Sequence, residues 1–422
     1  MKKKSLLLSL LSLIMTAVLL LNFSGCGTTV KAADLMEGIA ANEVEGKTAD
    51  EAFLNNQLEL YLKLFKSSAL TTKDKNTLVS PLSIQLALAM TANGANGETK
   101  AQMEKLLGGD LTIDELNDYL YDYVKNLPST EKSKMEIANS IWFRDDENRL
   151  TVEKDFLQTN ADYYGANAYK SPFDDTTLKD INNWVSDNTD GMIDKILDEI
   201  DPNAVMYLIN AIIFDAEWQT VYNKQSVYDG QFTKIDGKEQ TVTMMHSEEG
   251  QFISDGKARG FIKPYKGAKY SFAALLPNEG VDLYDYISGL SADTLQSTLK
   301  NVNYCQVIAT MPRFSYEYDL KMNSVLSDHG MVDAFEPRKA DFSKLGRSSY
   351  GNIYVHDVIH KTFISVDELG TKAGAVTKVE MRDECAMWPI ETVTLNRPFL
   401  YMILDNATNL PIFMGVVTEI AK

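Results

Sequence analysis

The sequence predicts a single α+β domain, and the order of its patterns along the chain is the basis of that prediction. Helical periodicity prevails from about residue 50 to residue 127, whereas runs of β-branched and aromatic residues prevail from about residue 205 to the C-terminal end. Because helices and strands show little alternation, a parallel α/β sheet is not expected. The 422 residues contain no internal repeat, low-complexity segment or interior linker, which favours one large domain.

The first residues have the form of an export signal. Three lysines at positions 2–4 precede an apolar run over residues 6–21, which predicts a signal peptide over residues 1–25. The segment Phe23-Ser24-Gly25-Cys26 resembles a bacterial lipobox, in which Cys26 would be lipidated, although Phe23 departs from the usual leucine. Cleavage after Ala32 and an uncleaved membrane anchor are the alternatives.

This N-terminus predicts where the protein works. We expect an extracellular protein, either a cell-surface lipoprotein or a secreted one, with the lipid as its only link to a membrane. Residues 26–48 are polar and rich in alanine without clear periodicity, so they are expected to form a tether. Residues 49–422 are expected to form the domain.

Helices are predicted mainly in the first part of the chain. Ser80 suits an N-cap and Pro81 suits the first helical position, so a helix begins there and ends at Asn93-Gly94. Further helices are predicted at about Asp50–Phe65, Thr99–Leu107, Asp114–Leu127, Leu178–Leu197, Leu283–Leu299 and Leu320–Leu326. Strands are predicted at Ile137–Phe143, Val205–Asp215, Gln240–His246, Phe261–Tyr265, Tyr270–Leu276 and Val307–Phe314, and over most of the chain from Ile353 onward.

Charge and cysteine content exclude several classes of partner. The net charge is −18 and no basic cluster is present, so binding to nucleic acid or to anionic lipid is not expected. Three cysteines in an exported chain do not indicate a disulfide scaffold. Cys305 lies in a strand pattern and is expected in the core, and we expect a monomer.

The motifs of the common enzyme classes are absent. The sequence has no Gly-x-Ser-x-Gly, His-Glu-x-x-His, Cys-x-x-Cys or phosphate-binding glycine loop. His356 and His360 are four residues apart, but they fall in a strand pattern, which favours hydrogen-bonded roles over a zinc site. No metal, no cofactor and no catalytic residue is expected.

The stretch from Gly370 to Pro398 is unusual because it lies between two strand patterns and yet alternates like a strand. Residues 371, 373, 375, 377, 379 and 381 are small or apolar, and the residues between them form a largely polar face. No proline or aromatic residue interrupts this run. Such a segment is either a flexible linker or a loop that can enter a sheet.

Several motifs taken together resemble the serpin family. They are NTLVSPLSIQLALAM, NGANGETKAQM, NAIIFDAEW, MPRFSYEYDL, VIHKTFISVDELGTKAGAVT and RPFLYMILDNATNLPIFMG, in the family's order and spacing from about residue 50 to residue 420. The resemblance implies three β-sheets, eight or nine helices and an exposed C-terminal reactive loop at about residues 369–391.

The resemblance also implies an activity, namely inhibition of serine proteases, with some cysteine proteases as further targets. A protease cuts the loop and forms its acyl-enzyme. The cut loop then inserts as a strand into the main sheet and carries the protease with it. A member that keeps the fold as a binding or scaffold protein, without trapping, is the alternative.

Site residues follow from the resemblance position by position. Glu368, Gly370 and Thr371 match the proximal hinge, and Ala373, Gly374 and Ala375 complete it. Ser80, Ser83, Asn210 and His360 match the buried polar network called the shutter, and Trp218 matches the tryptophan of the breach, where the loop enters. Lys372 and Leu369 stand where acidic residues are common, on positions that face outward.

The resemblance leaves the cleaved bond open. A count of sixteen residues from Glu368 gives Glu384-Cys385, which would suit a glutamate-directed protease. Bonds on either side of Ala386 would suit elastase-like proteases, and Met387-Trp388 would suit chymotrypsin- or subtilisin-like ones. No arginine or lysine lies between Asp383 and Trp388, so a trypsin-like target is not expected unless Arg382 is used.

Overall fold

A computed structural model describes residues 30–145, 149–349, 351–371 and 389–421. Cys26, the hinge residues Ala373, Gly374 and Ala375, and the five residues proposed around the cleaved bond (Glu384, Cys385, Ala386, Met387, Trp388) lie outside the described residues.

The helices lie mainly in the first two thirds of the chain. In chain order they are α1 (Glu51–Thr71), α2 (Pro81–Ala92), α3 (Gly97–Gly108), α4 (Ile113–Lys125), α5 (Lys154–Tyr164), α6 (Asp175–Asp187), α7 (Leu283–Gly289), α8 (Ala292–Lys300) and α9 (Asn323–Asp328). Helix α2 begins as predicted: the Ser80 hydroxyl accepts a hydrogen bond from the Ser83 N–H, and Pro81 follows the cap. All residues of α2 are buried, so it is a core helix.

Strands occur along the whole chain. The first nine are β1 (Ala33–Asp34), β2 (Thr77–Val79), β3 (Ser133–Arg144), β4 (Leu150–Val152), β5 (Asn167–Ser171), β6 (Met206–Glu217), β7 (Val227–Thr233), β8 (Glu239–Ser254) and β9 (Ala258–Pro264). The others are β10 (Tyr270–Pro277), β11 (Asn303–Pro312), β12 (Phe314–Lys321), β13 (Gly346–Ser348), β14 (Asp357–Val366), β15 (Gly370–Thr371), β16 (Ile390–Thr394), β17 (Phe399–Asp405) and β18 (Pro411–Val417).

In the described part of the chain these strands form three sheets. The seven-stranded sheet has the order β1-β5-β3-β6-β15-β14-β12, with β6 also paired directly to β14. The nine-stranded sheet has the order β16-β11-β8-β9-β10-β17-β18-β2, and β7 pairs with β8 beside this path. Strands β4 and β13 form a small third sheet. The α+β fold class and the three sheets are therefore as predicted.

Two predicted helices end earlier than the sequence pattern indicated. The helix predicted at Leu178–Leu197 is α6, which ends at Asp187, because Asp190 and Gly191 take positive φ angles of 49° and 70°. The helix predicted at Leu283–Leu299 is divided into α7 and α8, because the Ser291 hydroxyl accepts the Thr294 N–H and caps a new helix.

The segment expected to be a polar tether lies against the domain over its described part. Ala33 and Asp34 pair antiparallel with Lys170 and Tyr169 of β5. The buried carboxylate of Asp180 accepts hydrogen bonds from the N–H groups of residues 31 and 32, at 2.9 and 2.8 Å. Ala33 and Asp34 thus extend the seven-stranded sheet, and residues 31 and 32 are held beside it by Asp180.

Within the described residues, none of the helices combines the length and apolar character needed to cross a membrane.

Candidate functional site at the opening of the seven-stranded sheet

Strand β6 has two different partners on one of its sides. At its beginning, Tyr207–Ile209 pair in parallel with Asp357–Ile359 of β14. At its end, Glu217 and Ala216 pair antiparallel with Gly370 and Thr371 of β15. The strand order therefore changes along the sheet, from β6 beside β14 to β6 beside β15.

An opening lies between these two pairings. Among the described residues, positions 210–215 of β6 have a strand partner only in β3, and positions 360–365 of β14 have one only in β12. Each facing edge carries backbone N–H and C=O groups that an extended segment can pair with. The arrangement can accept a strand between β6 and β14. Thr371 lies at the end of this opening that is next to Ala216 of β6.

The predicted hinge already turns back toward this opening. The Asp367 N–H donates to the Gly370 carbonyl at 3.0 Å, and the Asp367 carboxylate accepts from the N–H groups of Leu369 and Gly370. Val366 then pairs with Thr371. The sequence placed the start of the loop at residue 369, outside the sheet, whereas Gly370 and Thr371 lie within it because this tight turn reverses the chain.

The carbonyl groups of the turn are held by a neighbouring segment that begins at Trp218. The Trp218 N–H donates to Leu369 O at 2.8 Å, and its indole Nε1 donates to Asp367 O at 2.9 Å. The Tyr222 N–H donates to Glu368 O at 3.0 Å. Trp218 is fully buried and therefore serves as a core side chain while it fixes the start of the hinge.

Thr371 is buried against a second aromatic residue. Its Oγ1 lies 2.6 Å from the hydroxyl of Tyr265, and the Tyr265 ring stacks on Trp218 with centroids 4.5 Å apart. Thr371 is 2 % exposed. A small side chain with one hydroxyl fits this place, whereas a larger or charged one would have to displace the tyrosine.

Charged residues surround the mouth of the opening. Glu368 forms an ion pair with Arg313. Glu217, the partner of Gly370, has a buried carboxylate that lies 3.0 Å from the Nζ atoms of both Lys132 and Lys266. Burial opposes ionisation of Glu217, but the two lysines outweigh it and lower the pKa of the carboxyl. Glu217 is therefore held ionised at neutral pH.

The four residues predicted for the shutter come together beside the opening. The Ser80 N–H donates to His360 Nε2 at 3.1 Å, and the Ser83 hydroxyl donates to Asn210 Oδ1. The Asn210 amide group in turn donates to Asn139 Oδ1. Each of these residues is buried, so the network joins helix α2 to β3 and β6 and, through His360, to β14.

The position of His360 determines its protonation. Burial lowers the pKa of His360 to about 3, because an imidazolium would lose its hydration there. The ring is therefore neutral at pH 7. Since Nε2 accepts the Ser80 N–H, Nδ1 carries the proton.

Several residues of this site were not found from the sequence, among them Asn139, Tyr265, Arg313, Asp367 and Tyr222. Asn139 had a usable signal, because it and Ser140 are polar residues within the otherwise apolar run Ile137–Phe143. Tyr265 and Arg313 had none, since an aromatic residue at a strand end and an arginine after a proline are ordinary. Their roles come from the chain crossings that place them next to Thr371 and Glu368.

A mixed α+β fold of three sheets, whose seven-stranded sheet opens between β6 and β14 beside the turn at 367–370, defines the class of protein. The family model described as "Serpin (serine protease inhibitor)" matches residues 55–420, and the chain belongs to the serpin family.

Named relatives agree with this assignment. The chain is 30% identical to "Leukocyte elastase inhibitor A" of Mus musculus over 379 residues, covering 84% of this chain and 96% of the relative. It is 29% identical to "Antithrombin-III" of Homo sapiens over 358 residues, covering 82% of this chain and 76% of the relative.

Solved structures include two states of one similar protein. The thermophilic serpin tengpin in the native state is 54% identical, with a TM-score of 0.89 over 93% of this chain and 100% of tengpin. Tengpin in the latent state is 53% identical, with a TM-score of 0.80 over 89% of this chain and 100% of tengpin. The structure described here is thus more similar to the native state than to the latent one.

Proposed function

We propose that this protein inhibits serine proteases by trapping them after they cut its loop. The observation that supports this most directly is the opening beside β6 with Thr371 at its mouth. The turn at 367–370 means that a strand growing from Thr371 runs antiparallel to β6 and β14, with both edges within reach of hydrogen bonding.

The energy for trapping comes from completing the sheet. Each new backbone hydrogen bond contributes about 1 kcal/mol, and burial of the small alternate side chains adds to it. Before the cut, the chain that follows Thr371 is tied at its other end by β16, whose residues Ile390–Thr394 pair with β11. Cleavage removes this constraint, so the gain is stored until a protease acts.

Trapping requires that insertion be faster than deacylation. A protease carried along with the loop is pulled away from the end of the molecule where it bound. If its oxyanion hole is distorted, one lost donor alone slows the chemistry about 10²–10³-fold. The acyl-enzyme then persists as a covalent complex.

The loop sequence suggests which proteases are targets. We propose elastase-, subtilisin- or glutamate-directed enzymes, because the candidate bonds from Glu384 to Trp388 offer no arginine or lysine. Mass spectrometry of the C-terminal peptide released by each protease would identify the bond used.

The test is a mixture of the protein with an elastase and with a subtilisin, followed by denaturing gels. We expect a complex that survives SDS and has the mass of the protease plus the cut inhibitor. Finding only cut inhibitor at every ratio would overturn the proposal and support a binding or scaffold role instead. Protease inactivated at its serine is the control and should give no such complex.

We also propose that the protein acts outside the cell, held by a lipid on Cys26 or secreted. The lysines and the apolar run of residues 2–21 support export. Labelling with a radioactive fatty acid in a bacterial host should mark the wild type and not Cys26→Ser. Equal labelling of both would remove the lipid anchor from the proposal.

A further inference from the structure

A buried ion pair lies directly behind the segment that holds the hinge. Lys263 Nζ in β9 lies 2.7 Å from Glu249 Oε1 in β8, and the two side chains are only 2% and 7% exposed. Both charges have left water, and each would be strongly unfavourable there without the other. The serpin resemblance did not point to either residue, and neither lies at the opening itself.

The surroundings of the ammonium group show what the pair supports. Lys263 Nζ donates to the carbonyl of Thr220 at 3.1 Å. It also lies 4.4 Å from the ring centre of Tyr222 and 5.4 Å from that of Trp218, within the range of cation–π attraction. One cation therefore contacts three positions of the segment 218–222.

The carboxylate is positioned by its own strand. Glu249 Oε1 also accepts a hydrogen bond from the Ser247 hydroxyl at 2.7 Å. The pairing of β8 with β11 shifts register between Tyr304 and Val307, opposite Gln251 and Glu249. Such bulges redirect side chains near functional sites, and this one lies next to the glutamate that holds Lys263.

The same segment, residues 218–222, carries the hydrogen bonds to the hinge. Trp218 and Tyr222 donate to the carbonyls of residues 367, 368 and 369. A continuous set of contacts thus runs from Glu249 through Lys263 to the segment 218–222 and on to the turn.

We infer that Glu249 and Lys263 are positioning residues for loop insertion: they keep the turn at 367–370 formed, so that a cut loop begins to insert without delay. This inference rests on the proposed function. The pair Val366–Thr371 is the first step of the new strand. If the turn is loosened, its residues must become ordered again before that step can occur. Insertion is then slower, so more of the acyl-enzyme is hydrolysed before the protease is trapped.

The experiment compares two variants with the wild type in reaction with a protease that the wild type traps. Glu249→Gln keeps the shape of the side chain and removes its charge. The double variant Glu249→Leu with Lys263→Met removes both charges, so no unpaired buried ion remains to prevent folding. For each protein we would measure the rate of loop cleavage and the number of inhibitor molecules consumed per protease trapped.

We expect loop cleavage to proceed at the wild-type rate, because the protease meets the same loop. The number of inhibitors consumed should rise about three- to tenfold in both variants, the size expected when one buried hydrogen-bonded contact is lost from a competing step. Wild-type numbers in both variants would overturn the inference.

Asp145→Asn is the matched control, since it removes another ion pair with a buried carboxylate, to Lys170 at 2.8 Å, away from the hinge. It should lower thermal stability and leave the number consumed unchanged. An equal rise in this control would assign the effect to general destabilisation and so overturn the inference.

Failure of the proposed function would be visible separately. If the wild type traps no protease, a second measurement replaces the number of inhibitors consumed. The loop is cut by a protease, and the rate at which the cut protein becomes resistant to heat is followed. Both variants should then convert more slowly than the wild type and the control, and equal rates would overturn the inference.

Discussion

The hydroxyl of Tyr265 lies 2.6 Å from Oγ1 of Thr371, and both side chains are buried. Tyr265 directly follows β9 of the nine-stranded sheet, whereas Thr371 is the last described residue of the hinge and belongs to the seven-stranded sheet. Burial raises the pKa of Tyr265 well above its usual range, so the hydroxyl remains protonated at all working pH values. The hinge is therefore tied in place before any protease acts.

The first prediction concerns this hydrogen bond. Tyr265→Phe leaves the Thr371 hydroxyl buried without its partner, so the free energy of unfolding should fall by about 1–3 kcal/mol. Thr371→Val should cost a similar amount, and the double variant should lose less than the sum, by at least about 0.5 kcal/mol. Urea unfolding followed by tryptophan fluorescence measures all four proteins. Strictly additive losses would mean that the two hydroxyls do not interact.

The second prediction concerns the size and charge of the residue at the mouth. Thr371→Arg would bring an unpaired cation into a buried position, which is strongly unfavourable. The variant should be cut at the wild-type rate but should consume about tenfold or more inhibitor per trapped protease. Denaturing gels count cut and trapped forms. Thr371→Ser keeps a small hydroxyl and is the control; normal trapping by the arginine variant would show that hinge insertion does not limit capture.

The third prediction is a gain in stability on cleavage. A protein nicked in its loop should melt more than about 10 °C above the intact form, because a new central strand adds hydrogen bonds and burial. Differential scanning calorimetry of both forms measures this. A nick introduced between Gly256 and Lys257, in an exposed turn outside the sheet opening, is the comparison and should give no gain. Equal melting temperatures for the intact and the loop-nicked protein would show that insertion of the loop releases no free energy, which would contradict the mechanism.

The fourth prediction concerns acid. The pKa of His360 is lowered to about 3 by burial in the folded protein, and it is about 6.5 in an unfolded chain. Below pH 6.5 His360 binds a proton in the unfolded chain but stays neutral in the folded protein. The stability present above pH 6.5 is therefore lost as the pH falls toward 3, at up to about 1.4 kcal/mol per pH unit.

The variant His360→Gln isolates this effect from the other groups that titrate in acid. Its free energy of unfolding should fall less steeply than that of the wild type between pH 6.5 and 4, although it starts lower at pH 7. Urea unfolding at each pH value measures the free energy of unfolding of both proteins. Parallel curves for His360→Gln and the wild type would contradict the assignment.

Local patterns predicted the elements well where neighbours in sequence decide them. The cap at Ser80 and the strand that became β6 were both found, because an N-cap and a buried apolar run depend on a few adjacent residues. The ends of α6 and α7 were missed for the same kind of reason, since a positive φ or an internal serine cap outweighs periodicity.

The site itself depends on contacts between distant residues. Ser80 and His360 are 280 positions apart, and Tyr265 and Thr371 are 106 apart. The family motifs brought in the four shutter residues but do not include Asn139, whose polarity alone does not show that it completes the chain of hydrogen bonds. The ion pair of Lys263 and Glu249 was equally hidden, because charged residues are usually solvated and composition does not reveal burial.

Direct pairing of Tyr207–Ile209 with Asp357–Ile359 closes the opening at the end opposite Thr371. A segment advancing from Thr371 passes residues 215 to 210 of β6 without separating any described pair. From Ile209 onward it must first separate β14 from β6, so the single β6–β14 ladder is lost while two new ladders form, one to each strand. If a cut loop inserts as proposed, the net gain in backbone hydrogen bonds per inserted residue is larger along residues 215–210 of β6 than from Ile209 onward, and the buried polar residues Asn210 and His360 lie where this gain decreases.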